Sequence, residues 1–245
     1  MIPRLFCGGR ISTGAVFTLP DNAAHHVRDV LRLQTGDAVT LLNGLGGEYQ
    51  ALIAVSTKNA VSVEVTGFAQ RESEAPWPIT VAQSLAAGDK MDWIVEKAVE
   101  LGASAVQPLA ASRSVLRLSP ERAEKRLVHW RAIAVAACEQ CGRNRIPHIA
   151  PIQAVHAWLA GMRGSAGLHL MLSPVRAEKF SSLSCPAAGT SITLLIGPEA
   201  GLTDDEEAAA QLAGFQPVLL GPRVMRTETA ALAALAAIHS RWGDY

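Results

Sequence analysis

Leu194-Leu195-Ile196-Gly197-Pro198-Glu199-Ala200-Gly201-Leu202-Thr203-Asp204-Asp205-Glu206 opens as an apolar, branched run. Such a run suits a strand buried on both faces of a parallel sheet. It breaks at Gly197-Pro198, and helix-start chemistry follows. Thr203 is an N-cap candidate, and Glu206, three residues on, completes a capping-box pattern. A strand that ends in a glycine loop and opens a helix is where open α/β sheets keep ligands, beyond the carboxyl ends of the strands. Read alone, the same pattern also fits an ordinary αβ connection.

The segment Leu219-Leu220-Gly221-Pro222-Arg223-Val224-Met225-Arg226-Thr227-Glu228-Thr229-Ala230 repeats that grammar: short apolar strand, Gly-Pro break, helix. The spacing predicts a helix from about Thr227 to Ser240, with Leu232, Leu235 and Ile238 on one face. Two such loops in succession, the second rich in arginine, suit a ligand held between them.

The paired motifs LLIGPEAGLTDDE and LLGPRVMRTETA resemble the two C-terminal motifs of the SPOUT superfamily of S-adenosylmethionine-dependent RNA methyltransferases. Within it, the chain resembles the bacterial 16S ribosomal RNA uridine-N3 methyltransferase family, ribosomal RNA small subunit methyltransferase E. The stretch Ala134-Val135-Ala136-Ala137-Cys138-Glu139-Gln140-Cys141-Gly142-Arg143-Asn144-Arg145-Ile146-Pro147 is also typical of that family, and the three stretches stand in family order. The likeness covers nearly the whole chain and is weakest in the N-terminal third. One departure stands out: where the family motif usually reads Gly-Pro-Glu-Gly-Gly, the fourth position here is Ala200. If that backbone needs positive φ, alanine costs on the order of 1 kcal/mol.

The bulk properties are compatible with this. At 245 residues and 49% apolar content, the chain suffices for one large domain or two small ones. No apolar run reaches membrane-span length, and the N-terminus lacks the long apolar region of a signal peptide. Four cysteines in a chain this long do not suggest a disulfide framework, so a cytoplasmic protein is expected. The formal net charge of +0 argues against an indiscriminate nucleic-acid coater but allows a local basic face.

Residues 1–72 read as short strands divided by turn signals, with one helical piece from about Asn22 to Leu33, which suggests a small barrel. The resemblance makes this a PUA-like β-barrel that helps to bind RNA. The polar, proline-punctuated stretch 71–78 is a linker, and residues 76–245 form the second domain. There strands alternate with helices, including Lys90 to Gly102, a long helix opened by Ser119-Pro120, and Pro151 to Ala160. That alternation means an α/β fold with a mostly parallel sheet covered by helices on both faces. The resemblance adds a C-terminal trefoil knot, which no pattern in the sequence reveals.

Between Arg113 and Arg145 there are eight bases and three acids, the electrostatic footprint of a polyanion site, although a solvated helix face would look alike. The sharpest part is Arg143-Asn144-Arg145, after Gly142 at a predicted helix end and so on a loop free to reach phosphate or base. Arg28 and Arg32 lie four apart on one face of the N-terminal helical piece. The family's His followed by Val-Leu-Arg falls on His26 and Val30-Leu31-Arg32. The RNA-binding candidates are therefore Arg4, Arg10, His26, Arg32, Arg113, Arg143, Asn144 and Arg145. Cys138 and Cys141 form a lone CxxC without the second pair of a structural zinc site, and they sit at a helix end rather than a start. They read as packing residues, and no metal is expected.

The resemblance implies S-adenosyl-L-methionine as cofactor. Its candidate walls are Leu172, Ser173 and Pro174 after one strand, Ile196, Gly197, Pro198, Glu199 and Gly201 after the next, and Leu220, Gly221, Val224, Met225, Arg226 and Thr229 on the last loop. Glycine and proline there let backbone groups approach an adenine edge. No GxGxxG follows an early strand and no GxxxxGK[ST] occurs, which disfavours a Rossmann-type methyltransferase or a nucleotide hydrolase. Methylation of uridine N3 requires loss of its proton. Arg226 is the candidate to stabilise the resulting anion and Glu199 the candidate base; the plainer roles are a loop-fixing pair of Arg226 with Glu228 and a helix-start contact for Glu199. N3 lies on the pairing edge, so the target base must be unpaired or flipped out. The partners implied are 16S rRNA or the 30S subunit and a second copy of the chain in a homodimer. The rival readings are a related enzyme acting on tRNA or another base, and a non-catalytic RNA-binding assembly factor.

Overall fold

The computed structural model describes residues 2–174, 177–243 and 245. The chain divides into two compact units. One holds the residues up to Glu74 together with Val135–Ile146, and the other holds Ala75–Ala134 and Pro147–Tyr245.

In the first unit, β1 (Arg4–Phe6), β2 (Val16–Thr18), β3 (Ala38–Leu42), β4 (Glu48–Ser56) and β5 (Val61–Ala69) form a five-stranded sheet in the order β1-β3-β4-β5-β2. Only β1 with β3 is parallel. Burial alternates along β5, so Val61, Val63 and Val65 enter a core with Leu5, Val39, Leu41 and Ile53. β1 is missed by the sequence reading, since three residues carry too little periodicity. The helical piece starts one residue early as α1 (Asp21–His25), passes into a π-helical turn over His26–Val30 and stops before Arg32. Arg32 adopts a left-handed φ of 56°, so it does not share a helix face with Arg28. Arg28 itself is held by Asp29 and by the Lys58 carbonyl.

The second unit contains β6 (Ile79–Ser84), α2 (Lys90–Glu100), β7 (Ala105–Ala110), most of α3 (Pro120–Cys141), β8 (His148–Ile149), β9 (Gln153–Ala154), α4 (Val155–Met162), β10 (Leu168–Leu172), β11 (Glu178–Lys179), β12 (Ile192–Ile196), α5 (Asp204–Leu212), β13 (Gln216–Leu219) and α6 (Thr227–Trp242). Its sheet runs β11-β13-β10-β12-β6-β7-β8, with β9 against β7, and every pairing is parallel. The predicted helix over Pro151–Ala160 begins later, at Val155, because Gln153 and Ala154 join the edge of β7 instead.

The central strand β12 is buried at every residue. Leu195 shares a cluster with Val155 and Leu159 of α4 and Ala210 of α5. By the two-residue alternation of a strand, Leu194 and Ile196 face the opposite layer. There α6 packs on β12, and α2 packs on α6 through a stripe of Met91, Ile94, Val95 and Ala98. Gly102, at φ +79°, ends that stretch, and the adjacent Leu101 carbonyl accepts a bond from His239 of α6.

The capping box is present in full: Thr203 Oγ1 accepts from the Glu206 amide, and the Glu206 carboxylate accepts from the Thr203 amide. Glu206 is only 1% exposed, and its other oxygen accepts from the Ser112 amide at 2.8 Å. Burial pushes this carboxyl up, but the Thr203 and Ser112 donors outweigh it and hold it below the ordinary glutamate range. A depressed carboxyl contributes stability above its unfolded pKa and loses it as pH falls through the folded value. Glu206→Gln replaces an acceptor oxygen with a donor facing a buried amide, at a cost of about 1–3 kcal/mol. Melting followed from neutral pH into acid is expected to show a lower Tm for the variant at pH 7 and a flatter decline below the carboxylate range. Equal profiles would remove Glu206 from the acid sensitivity of the fold.

Candidate cofactor site at the carboxyl edge of the sheet

The parallel register brings Leu172, Ile196 and Val218 level with Gln83 at the carboxyl ends of β10, β12, β13 and β6. Three loops therefore emerge side by side: 172–174, 197–203 and 220–226. Two adjoining clefts lie among them. The larger, about 510 Å³, is lined by Ile196, Gly197, Pro198, Glu199, Gly201 and Arg226, with Lys90 and Glu207. The smaller, about 90 Å³, is lined by Ser173, Leu219, Leu220 and Arg223. Leu172, Pro174, Val224 and Met225 border both. All the predicted cofactor residues line one cleft or the other except Gly221 and Thr229.

The first loop folds back tightly. A Cβ added at Gly197 would meet the Leu202 amide nitrogen at 3.0 Å, and Gly201 takes a left-handed φ of 71°. Among the described residues Arg32 is the one non-glycine at positive φ, so Ala200 sits in ordinary backbone and carries no left-handed strain. The two motif loops are stapled by a residue that sequence reading missed. Thr227 Oγ1 donates to the Gly197 carbonyl at 2.6 Å and accepts from Gln83 Nε2 at 2.8 Å. Gln83 is fully buried. It lies inside a run read only as a strand, and nothing in the sequence links it to position 227.

Lys90 is the other missed residue. Its ammonium lies 3.0 Å from Glu199 and 3.5 Å from Glu228, and the Glu199 oxygen also accepts from the Ala87 amide at 2.9 Å. Burial raises the Glu199 carboxyl, but the Ala87 amide and Lys90 together bring it below the usual range. The hydrogen bond to Glu199 raises Lys90. Glu199 is thus ionised and engaged at neutral pH, poorly matched to a base that works best with a pKa near the working pH. Glu228 is paired with Lys90 rather than with Arg226. Among the described residues the exposed Arg226 guanidinium has no hydrogen-bond or ion-pair partner.

The RNA-binding candidates fall apart into separate groups. Arg113 donates to the Leu202 carbonyl at 3.0 Å and lies 3.4 Å from that of Ala200, which ties it to the cofactor loop. In the first unit, Arg143 is 3% exposed and paired with Glu74, and Asn144 is 0% exposed and donates to the Arg71 carbonyl. Arg4 bonds Glu48 and Asn144. The expectation of a free loop fails at these residues because the helix end packs into the sheet's polar edge, where Glu139 also accepts from the Phe6 amide. Arg145 is half exposed beside Glu72, and Arg10, His26 and Arg32 are exposed. Cys138 is buried and donates to the Arg145 carbonyl, and burial drives its thiol to about 12.

Residues 73–239 match the family model of the RNA methyltransferase domain, and residues 19–66 match the RNA methyltransferase PUA domain. Ribosomal RNA small subunit methyltransferase E of Bacillus subtilis is 31% identical over 94% of this chain and 91% of its own. The chain belongs to this family. The crystal structure of the Neisseria gonorrhoeae methyltransferase E, bound to S-adenosyl methionine, is 38% identical, covers 100% of both chains and has a TM-score of 0.92. A methyltransferase of Legionella pneumophila, in complex with its bound cofactor SAM, is 32% identical over 98% of each chain, also with a TM-score of 0.92. Membership of the methyltransferase E family makes the N-terminal sheet a PUA-like domain and the eight-stranded unit a SPOUT-type methyltransferase domain. No helix among the described residues is long and apolar enough to cross a membrane.

Proposed function

We propose that this chain transfers a methyl group from S-adenosylmethionine to N3 of a uridine in 16S ribosomal RNA. The observation that carries the reading is the pair of stapled Gly-Pro loops over a cleft of about 510 Å³, within the size range of small-molecule sites, in a chain of the methyltransferase E family. The residues fit the cofactor. Leu172, Leu220, Val224 and Met225 offer apolar walls, while the close turn at Gly197 and the backbone of 197–202 offer amides and carbonyls. Bound S-adenosylmethionine supplies an activated methyl on a sulfonium, so the protein's work is alignment and charge stabilisation.

Arg226, exposed at the mouth of the cleft and without a partner among the described residues, stands against the negative charge that uracil gains as N3 loses its proton. Glu199 holds Lys90 and the Ala87 backbone, and so keeps the loop in shape. Thr227 and Gln83 set the spacing of the two loops. The functional domains are residues 1–72 and 76–245, the first contacting RNA through Arg10, His26 and Arg32. The left-handed backbone at Arg32, strained for a non-glycine residue, turns an exposed cation outward. The enzyme works in the cytoplasm as a homodimer.

Labelled S-adenosylmethionine, offered with 30S subunits from a strain lacking the gene, naked 16S rRNA and total tRNA, tests the reading. The expected product after digestion is N3-methyluridine in 16S rRNA. Label confined to tRNA, or another nucleoside, overturns it. No label and no thermal stabilisation by the cofactor would leave a non-catalytic RNA-binding factor.

A further inference from the structure

Outside the cofactor site, the methyltransferase unit carries a second cleft, of about 490 Å³, that shares no lining residue with the first. Arg122, Lys125, Arg126 and His129 of α3 line it, with Leu116 and Leu118 from the preceding segment. The four α3 positions follow helical spacing, one stripe two turns long. The nearby acids Glu121 and Glu124 do not line it; at about 100° per residue Glu124 lies nearly opposite Arg126, while Glu121, four residues before Lys125, sits at the edge of the stripe and pairs with that lysine.

The cations are lightly held. Among the described residues, the Arg122 guanidinium has no partner. Lys125 bonds Glu121 with both side chains more than three-quarters exposed, a pairing that water and salt screen. Arg126 stands 3.8 Å from Asp92, whose oxygens already accept from His129 and Trp130. In a chain of net charge +0, such a one-sided groove does not follow from general basicity.

We propose that this groove binds the phosphate backbone of the ribosomal RNA substrate, as a second contact on the methyltransferase unit itself. Arg122, Lys125 and Arg126 contact phosphates, while Leu116 and Leu118 cover the apolar side of a sugar or base. The inference rests on the reading that the substrate is rRNA. The groove orients the strand so that the target uridine reaches the cofactor cleft, and it gives a role to Arg122, Lys125 and Arg126, which the cofactor site does not use.

The test compares wild type with the triple variant Arg122→Gln, Lys125→Gln, Arg126→Gln on an exposed helix face. Thermal stabilisation by S-adenosylmethionine serves as the check that the domain is folded. Binding to 16S rRNA is then titrated against salt. The variant is expected to bind about tenfold or more weakly, with the log–log salt slope reduced by about 2–3. A charge-keeping variant, Arg122→Lys with Arg126→Lys, is expected to keep the wild-type slope. Equal affinity and slope for the triple variant overturn the proposal, as does wild-type protein that binds no rRNA. Loss of binding to 30S subunits with binding to naked 16S rRNA intact also overturns it, pointing to an acidic protein surface. Weakened rRNA binding by the variant, in a protein that methylates no 16S uridine, would retain the groove and remove the proposed reaction.

Discussion

Arg226→Ala is expected to lower kcat for methyl transfer to rRNA by about 10²–10³-fold, the usual loss when one preorganised donor facing developing charge is removed. The reason is the electrostatic layout of the cleft. Of the other charged groups lining it, Glu199 and Lys90 neutralise one another, Lys90 also serves Glu228, and Glu207 accepts from Ser173 Oγ. Arg226 is the cation of this lining with no partner among the described residues, and it is anchored where the second loop enters α6. An anion forming at uracil N3 would be stabilised by that guanidinium in the transition state more than in the ground state, so the loss belongs in kcat rather than in KM. Cofactor binding by calorimetry should remain, because the loop staple runs through Thr227 and Gln83 and does not involve Arg226. Arg226→Lys keeps the charge without the planar fork and should fall between. Transfer at the wild-type rate by the alanine variant would end the proposed role.

The parts of this arrangement that were legible in the sequence are local. An apolar run with a Gly-Pro break specifies a strand and its end by nearest-neighbour sterics: β12 ends at the break after Ile196, while β13 lies earlier than read, over Gln216–Leu219, and leaves Leu220 to the loop. Thr203 and Glu206 are three residues apart, so their reciprocal bonds were readable as well. What was not legible depended on partners far along the chain. Gln83 and Thr227 are separated by 144 positions, and Arg113 meets Leu202 across 89. An arginine after a helix-ending glycine has the same local signature whether it meets phosphate or a carboxylate. Locally Arg143 therefore reads as a nucleic-acid contact, and the structure pairs it with Glu74 instead. The excess of bases over residues 113–145 is legible, yet only the helix phase of α3 separates the groove-lining bases from Arg131, which donates to the Ile149 carbonyl instead.

That contrast gives Arg143 two opposed expectations, and the structure selects one. Arg143→Ala removes the two-pronged partner of the Glu74 carboxylate next to Asn144 in the chain, which is itself fully buried and bonded to Arg4 and to the Arg71 carbonyl. Breaking a buried pair by removing one partner costs about 3–5 kcal/mol, and the 22% exposure of Glu74 puts this pair at the lower end. For a chain of this size that lowers Tm by roughly 10 °C, at about 2–4 °C per kcal/mol. The loss should appear in the first unit, as faster hydrogen exchange in β1, β3 and β4. Arg143→Lys should recover only part of it, since an ammonium cannot present two parallel donors to Glu74. If Arg143 instead served RNA directly, the alanine variant would melt with the wild type and lose rRNA affinity with a smaller salt slope. Calorimetry and one binding titration separate the two. The burial of Arg143 and Asn144 argues that these two residues clasp the helix end to the N-terminal sheet, and that they serve the folding of this unit rather than base recognition.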